Sequence, residues 1–140
     1  MNNTVVVSSL SSDAHTWNLV FLQLFIEEHG YDVVNLGPCV HDDLLVEECR
    51  AIRPSMVVLS SVNGHGCLDG MRVAPRLREA LGGTPIVIGG KLGVTGELRE
   101  AKTAALLEAG FDDVFPDDGS ALHRFREMLE AVPEAAATAA

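Results

Sequence analysis

The chain has 140 residues, 47% of them hydrophobic and 21% charged, a balance typical of one globular domain with a buried core. Its formal net charge of −10 repels phosphate backbones, and without a basic cluster to oppose that charge no nucleic-acid partner is expected. No apolar run could cross a membrane, no secretory signal is recognisable, and three cysteines without a CxxC pair indicate a cytoplasmic protein.

Short strand-like runs alternate with longer helical patterns along the chain. The predicted strands are residues 4–9, 31–36, 56–61, 85–88 and 111–115. The predicted helices are residues 16–29, 42–53, 68–82, 97–109 and 119–131. Helices are predicted to end at Gly30, Pro54 and Gly110. Asp42 and Gly119-Ser120 are predicted to begin helices. Residues 1–132 are therefore predicted to form one domain and residues 133–140 a disordered tail.

Five strands, each followed by a helix, predict a parallel sheet with helices on both faces and right-handed crossovers. The middle strands are apolar without alternation, as strands covered on both faces should be. We therefore predict an α/β, flavodoxin-like (Rossmann-like), doubly wound fold with a five-stranded parallel sheet and the first strand central. Ligands of such sheets bind outside the carboxyl ends of the strands, where the strand order reverses.

The loops after predicted strands 1, 3 and 4 are the richest in glycine, serine and histidine, and read SLSSDAHTWN, SVNGHGCLDG and GGKLGVTG. Gly64-x-Gly66-x-x-x-Gly70 is one residue longer than a dinucleotide fingerprint and follows the third strand, which disfavours NAD binding. The absence of GKS or GKT disfavours a P-loop. The hydroxyl-rich first loop could hold FMN, although aromatic residues to stack on a flavin are scarce.

The four histidines outside the first of these loops are assigned mainly to the surface. His29 precedes Gly30 at the end of a helix, where positive charge suits the dipole. His41 and His123 lie near predicted helix starts and are expected at the surface, whereas His65 is either a contact residue of the site or a plain loop residue. A solvated acidic helix face is predicted from Asp42, Asp43, Glu47 and Glu48.

Asp13 and His15 lie two residues apart in the first of these loops. A carboxylate that accepts the N–H of one ring nitrogen fixes the tautomer and aims the other nitrogen outward as a metal ligand. The same pair could serve a nucleophile as general base, although no nucleophile elbow accompanies it. A third interpretation makes Asp13 a helix cap and His15 part of the first turn. The local residues leave these alternatives open.

The spacing of three motifs resembles that of the cobalamin (vitamin B12) binding domains of corrinoid mutases and methyltransferases, whose pattern is DxHxxG, SxL and GG. Here Asp13-x-His15-x-x-Asn18 is followed after 41 residues by Ser60-Ser61-Val62, and after 26 more by Gly89-Gly90. Within that family the chain is most similar to the small subunits of glutamate mutase (methylaspartate mutase), in segments such as DVVNLG, NGHG and FDDVFP. Asn18 and Val62 depart from the motif, which has glycine and leucine there.

The resemblance implies that His15 binds cobalt from the lower face in place of the cofactor's own base, with Asp13 as acceptor for its second ring nitrogen. The nucleotide tail then enters a slot beside the sheet, where Ser60 hydrogen-bonds the benzimidazole and Gly89 and Gly90 leave room. The implied cofactor-binding residues are Ser12, Asp13, Ala14, His15, Thr16, Asn18, Ser60, Ser61, Val62, Gly64, Gly89, Gly90, Lys91, Leu92, Gly93, Val94 and Thr95, with His15 on the metal. No catalytic side chain is implied.

By the same resemblance, the chain is the cobalamin-carrying subunit of an adenosylcobalamin-dependent isomerase that interconverts L-glutamate and threo-3-methylaspartate or an analogue. The substrate would lie in a larger, barrel-type catalytic subunit, without which this chain is inactive. One alternative is a corrinoid methyl carrier that uses methylcobalamin. Another is a cobalamin sensor or receiver-like domain, although Ser60 stands where a receiver has its phosphoacceptor aspartate.

Overall fold

Strands and helices alternate along the chain as predicted. The computed structural model describes residues 3–9, 17–38, 40–61, 66–90, 98–116 and 123–131. The strands are β1 (Thr4–Ser9), β2 (Asp32–Asn35), β3 (Met56–Ser61), β4 (Ile86–Gly90) and β5 (Asp113–Pro116). The helices are α1 (Trp17–Glu28), α2 (Asp42–Ile52), α3 (Gly66–Leu81) and α4 (Leu98–Ala109), followed by α5, described over residues 123–131.

All five strands are parallel and stand in the order β2-β1-β3-β4-β5. This confirms the predicted flavodoxin-like, doubly wound sheet. The first strand is interior, as expected, although β3 rather than β1 occupies the middle position. The strand order reverses between β1 and β3, so the crevice typical of open parallel sheets lies at the carboxyl ends of these two strands.

The sheet separates two apolar cores. On one side, here called the α1 face, α1 and α5 cover the sheet with a core that includes Val7, Leu19, Ile26, Val58, Val87, Phe115, Phe125 and Leu129. On the opposite side, the α3 face, α2, α3 and α4 cover a core that includes Val6, Leu45, Cys49, Val57, Leu77, Ile88 and Leu106. Successive strand residues alternate between these cores, as in strands covered on both faces. Over the described residues, no helix has the length and apolar character of a membrane span.

The predicted helix ends are close to those observed. Gly30 and Gly110 have φ of 91° and 137°, which confirms them as turn glycines after α1 and α4. Arg53 ends α2 in the left-handed region, its N–H donating to the Cys49 carbonyl at 2.8 Å. At the other end of α2 the cap is His41, without a side-chain cap hydrogen bond, and Asp42 is the first helical residue.

Two predicted loops are shorter than expected because their glycines belong to regular elements. Strand β4 runs to Gly90, since Gly89 and Gly90 pair with Phe115 and Pro116 of β5. Helix α3 begins at Gly66 and includes Gly70. A Cβ at Gly70 would lie 2.8 Å from Cδ1 of Ile88, too close for any real contact, so this glycine lets α3 pack against the sheet.

Candidate functional site

Four residues at the carboxyl end of the sheet stand side by side in register. Ser9 of β1 pairs with Ser60 of β3, and Ser60 pairs with Gly89 of β4. Gly89 in turn pairs with Phe115 of β5. We call these four residues the carboxyl-end row. Their alignment brings the predicted SxL and GG motifs into direct contact, although they are well separated along the chain.

The carboxyl-end row faces α1 and α5. Val58 and Val87, two residues before Ser60 and Gly89 on the same strands, belong to the core of the α1 face. Because side chains two residues apart on a strand project to the same face, Ser60 and Gly89 share that face. The apolar core therefore gives way to serine and glycine at the edge where a ligand of this fold is expected.

The two serines of the row are buried. Ser9 is 1% and Ser60 is 3% exposed. The Ser9 hydroxyl donates to the Gly37 carbonyl at 3.0 Å, and Gly37 has a φ of 92°, which favours glycine. The Gly37 N–H donates to Oδ1 of Asn35 at 2.9 Å. These bonds fix the end of β1 to the segment after β2, beside the buried Ser60 hydroxyl.

Gly89 brings β4 close to β5. A Cβ at this position would lie 3.1 Å from the Phe115 carbonyl oxygen and 3.2 Å from the Phe115 Cβ, a tighter approach than most real contacts. Glycine therefore has a packing role here that the sequence did not indicate. The same lack of a side chain leaves the strand beside Ser60 bare, and a flat ligand could approach its backbone there.

Helix α1 has one buried and one exposed side. Leu19 is 2% and Ile26 is 0% exposed, and both pack onto the α1 face of the sheet. The opposite side of this almost wholly apolar helix faces solvent, although a helix of this composition is normally buried. The backbone of Asn18 lies in the first turn of α1, and its side chain is outside the described residues.

Most of the predicted cofactor contacts lie outside the described residues. They are Ser12, Asp13, Ala14, His15, Thr16, Val62, Gly64 and Lys91 to Thr95, and His65 is outside as well. For Ser61 and Gly90 the backbone alone is described, and the two residues pair across β3 and β4. The segments that carry these residues follow β1, β3 and β4, whose carboxyl ends are adjacent at one edge of the sheet.

A separate charged cluster joins α2 to α3 on the α3 face. The Arg72 guanidinium donates to both carboxylate oxygens of Asp42, at 2.5 and 3.1 Å, and to the buried Asp69 at 3.1 Å. The hydrogen bond to Asp42 is the main cause that raises the pKa of Arg72 above its usual range. Arg76 donates to Asp43 at 2.6 Å. Because these carboxylates are already paired with arginines, we assign the cluster to helix packing.

The acidic face predicted on α2 is therefore only partly solvated. Asp43 keeps 88% of its side chain exposed, whereas Asp42 keeps 14% because Arg72 covers it. Sequence reasoning missed Arg72 and Asp69. Their signal was the spacing of Asp69, Arg72 and Arg76, which share one side of a helix.

None of the described histidines belongs to the carboxyl-end row. Nδ1 of His29 is 2.8 Å from the Phe25 carbonyl oxygen at the end of α1, so its role there is to satisfy a helix terminus. His41 and His123 are exposed, as predicted, and Nε2 of His123 lies 3.2 Å from a carboxylate oxygen of Glu127.

Comparison with known proteins gives one family match over most of the chain. A family model described as the B12 binding domain matches residues 3–126. The glutamate mutase sigma subunit 1 of Haloarcula marismortui is 29% identical over 133 residues, which cover 93% of this chain and 88% of that protein.

Many solved structures share the fold, among them two cobalamin proteins. A cobalamin-binding protein from Desulfitobacterium hafniense superposes with a TM-score of 0.71 at 19% identity, over 91% of this chain and 59% of that chain. The methanol:cobalamin methyltransferase complex MtaBC from Methanosarcina barkeri superposes with a TM-score of 0.61, also at 19% identity, over 96% of this chain and 45% of that chain. This chain therefore spans about half the length of these two solved chains.

Proposed function

The chain belongs to the B12-binding domain family, and from this premise we propose that it is the cobalamin-carrying subunit of an adenosylcobalamin-dependent mutase of the glutamate mutase type. In this proposal the reaction is the isomerisation of L-glutamate to threo-3-methylaspartate or a close analogue, in the cytoplasm. The observation that carries the proposal is the register of the buried Ser60 against Gly89 at the carboxyl end of the α1 face.

His15 is the proposed ligand of cobalt, and Asp13 accepts the N–H of its other ring nitrogen. That hydrogen bond fixes the tautomer and makes the imidazole a better donor to the metal. Both residues belong to the segment between Ser9 and Trp17, which starts beside the carboxyl-end row. With His15 on the metal, the cofactor would be held base-off, and its nucleotide tail would be free to enter the protein.

The carboxyl-end row fits the released nucleotide tail. The Ser60 hydroxyl supplies a buried polar group for a ring nitrogen, and Gly89 supplies a strand segment on which a flat heterocycle can lie. The apolar α1 face continues beneath the row and suits the hydrophobic part of a benzimidazole. The other proposed contacts are Ser12, Ala14, Thr16, Asn18, Ser61, Val62, Gly64, Gly90, Lys91, Leu92, Gly93, Val94 and Thr95.

Adenosylcobalamin supplies radical chemistry when it is bound, and this chain holds, orients and partly shields it. Recognition of a dicarboxylate substrate requires several positive groups near the reacting carbon. Residues 10–16, 62–65 and 91–97 contain one lysine and no arginine. We therefore propose that a larger, barrel-type catalytic subunit binds the substrate, and that this chain is inactive without it.

The proposal is tested by titrating the purified chain with adenosylcobalamin and recording the absorption spectrum. Wild type and the control variant His41→Ala, changed at an exposed histidine at the N-cap of α2 on the opposite face of the sheet, are expected to bind with the spectrum of nitrogen-coordinated cobalt. His15→Ala is expected to bind at least about tenfold more weakly, and its bound cobalamin is expected to show the spectrum of cobalt without a lower nitrogen ligand. Unchanged binding by His15→Ala would refute ligation, and no binding by wild type with the catalytic subunit present would refute the function.

The choice between mutase and methyl carrier is tested with the catalytic subunit added. Formation of 3-methylaspartate from L-glutamate, dependent on both proteins and on adenosylcobalamin, is expected. Transfer of a methyl group from methylcobalamin bound to this chain, with no isomerisation, would assign the chain to the methyl carriers instead.

A further inference from the structure

Three large apolar side chains on α1 project into solvent instead of into the core. Val20, Phe21 and Leu24 are 48%, 46% and 57% exposed. Their spacing along the helix places them on one side of it, and we call them the α1 strip. Among the described residues, the other exposed large hydrophobics are Leu44 and Leu107, and each stands on a different helix. A cluster of this kind is typical of a protein contact surface.

The α1 strip is connected to the candidate site by packed aromatic rings. The Phe21 ring stacks on Phe25 with centroids 6.0 Å apart, and Phe25 stacks on Phe125 of α5 at 5.9 Å. Phe125 meets Phe115 edge-on at 5.5 Å, and Phe115 is the register partner of Gly89. Helix α1 also begins at the edge of the sheet where the cofactor is proposed to bind. A protein that covers this edge can therefore extend over the strip.

The charges around the α1 strip favour a basic partner over a second copy of this chain. The exposed carboxylates of Glu27 and Glu28 on α1, and of Glu127 and Glu130 on α5, outnumber the two arginines of α5, Arg124 and Arg126, and Arg124 is already paired with Asp113 at 2.7 Å. The whole chain has a formal net charge of −10. Two such faces would repel each other, whereas an apolar patch bordered by lysine and arginine would be attracted.

We propose that the α1 strip is a docking surface for the catalytic subunit, which contacts it through an apolar patch with a basic border. This inference rests on the proposed function, because it takes the mutase partner as the occupant. The contacts are between protein side chains, so docking is expected with and without cobalamin and is expected to weaken as salt is added.

The test compares Leu24→Gln with the matched control Leu107→Gln. Leu107 is 43% exposed and lies on α4, on the opposite face of the sheet. The probe is the purified catalytic subunit that accompanies this chain in its source organism, and its affinity is measured by sedimentation velocity. With and without adenosylcobalamin, Leu24→Gln is expected to bind at least about tenfold more weakly than wild type. Leu107→Gln is expected to stay within about twofold, and Val20→Gln to repeat the effect of Leu24→Gln.

Four outcomes would overturn the inference. The first two are that Leu24→Gln binds the catalytic subunit as tightly as wild type, or that Leu107→Gln weakens this binding equally. The third is that the wild-type chain associates with itself and Leu24→Gln abolishes that association. The fourth is that Leu24→Gln, on its own, no longer binds cobalamin. Loss of cobalamin binding would assign the α1 strip to the cofactor site. The proposed function fails in a different measurement, the adenosylcobalamin titration of the wild-type chain, so the two failures are distinguishable.

Discussion

Ser60 and Gly89 are register partners on adjacent parallel strands, and both face the helix that follows the Asp13-His15 segment. The register converts two short sequence motifs into one surface, with a buried hydroxyl beside a bare stretch of backbone. A surface of this kind at the carboxyl end of an open parallel sheet is where the fold binds its ligands.

Replacement of Ser60 by alanine is expected to weaken cobalamin binding about fivefold to tenfold, because one buried hydrogen bond to the cofactor tail is lost. The matched control is Ser8→Ala. Ser8 is also buried, but it is the register partner of Leu59 on the α3 face. Its hydroxyl donates to the Ser9 carbonyl at 2.8 Å. Isothermal titration with adenosylcobalamin measures both variants, and equal affinity losses would contradict the assignment of the site to the α1 face.

Replacement of Gly89 by alanine is expected to lower the free energy of unfolding by about 1–3 kcal/mol, because the new Cβ forces β4 away from Phe115. Cobalamin affinity is expected to fall as well. Gly83→Ala is the control, since a Cβ at Gly83 meets nothing within 4 Å. Urea unfolding is the measurement, and the account of this close approach is wrong if the two alanine variants are equally stable.

Replacement of Tyr31 by phenylalanine is expected to lower the free energy of unfolding by about 0.5–1.5 kcal/mol near neutral pH. The Tyr31 hydroxyl donates to the Leu129 carbonyl of α5 at 2.6 Å. Burial raises the pKa of Tyr31 from 10.0 to about 12. Because the folded-state pKa lies above the unfolded one, the contribution of the neutral phenol is complete below pH 10 and is lost as the pH rises toward 12.

The difference in the free energy of unfolding between wild type and Tyr31→Phe, here called the stability gap, is therefore expected to narrow between pH 10 and pH 12. Cys49, whose pKa burial also raises to about 12, is common to both proteins and cancels in the comparison. Unfolding by urea at a series of pH values measures the gap. A gap that stays constant or widens above pH 10 would contradict the assigned cause of the shift.

Replacement of Arg78 by lysine is expected to cost about 1–3 kcal/mol of stability while cobalamin affinity is retained. The guanidinium donates to Asp112 at 2.6 Å and to three carbonyls, those of Gly82, Thr84 and Gly110. A lysine ammonium cannot reproduce this fork, and the cluster lies at the end of the sheet opposite the site. Arg76→Lys, in a pair with the 88% exposed Asp43, is expected to change stability by less than about 0.5 kcal/mol. Reduced cobalamin affinity in folded Arg78→Lys would show that the two ends of the sheet are coupled.

The periodicity of the sequence was sufficient to predict the order of the elements, the parallel sheet and the turn glycines Gly30 and Gly110. These features depend on local residues and on the rules that govern crossovers between parallel strands. The end of β4 could not be predicted, because Gly89 and Gly90 extend the strand only by pairing with β5. The ion pair between Asp42 and Arg72 was missed for the same reason, since it joins two helices.

The sequence predicted the position of Ser60 and Gly89, whereas the roles of Asp13 and His15 are still predictions. The motif intervals predicted that Ser60 and Gly89 lie at one edge of the sheet, and the register confirms their contact. The intervals did not reveal that Gly89 also makes room for Phe115, because that contact depends on the distance between two strands. The roles of Asp13 and His15 stay predictions, since both residues lie outside the described parts of the chain.

The most direct test of the central claim, that His15 binds the cobalt of cobalamin, is electron paramagnetic resonance of the chain loaded with cobalamin in its Co(II) state. Protein carrying ordinary histidine is compared with protein in which all histidines carry nitrogen-15. The account predicts that the nitrogen splitting changes from triplets to doublets on labelling, and that this change is absent in His15→Ala. Triplets that persist in the labelled wild-type protein would show that the protein imidazole is not the ligand, and would contradict the account.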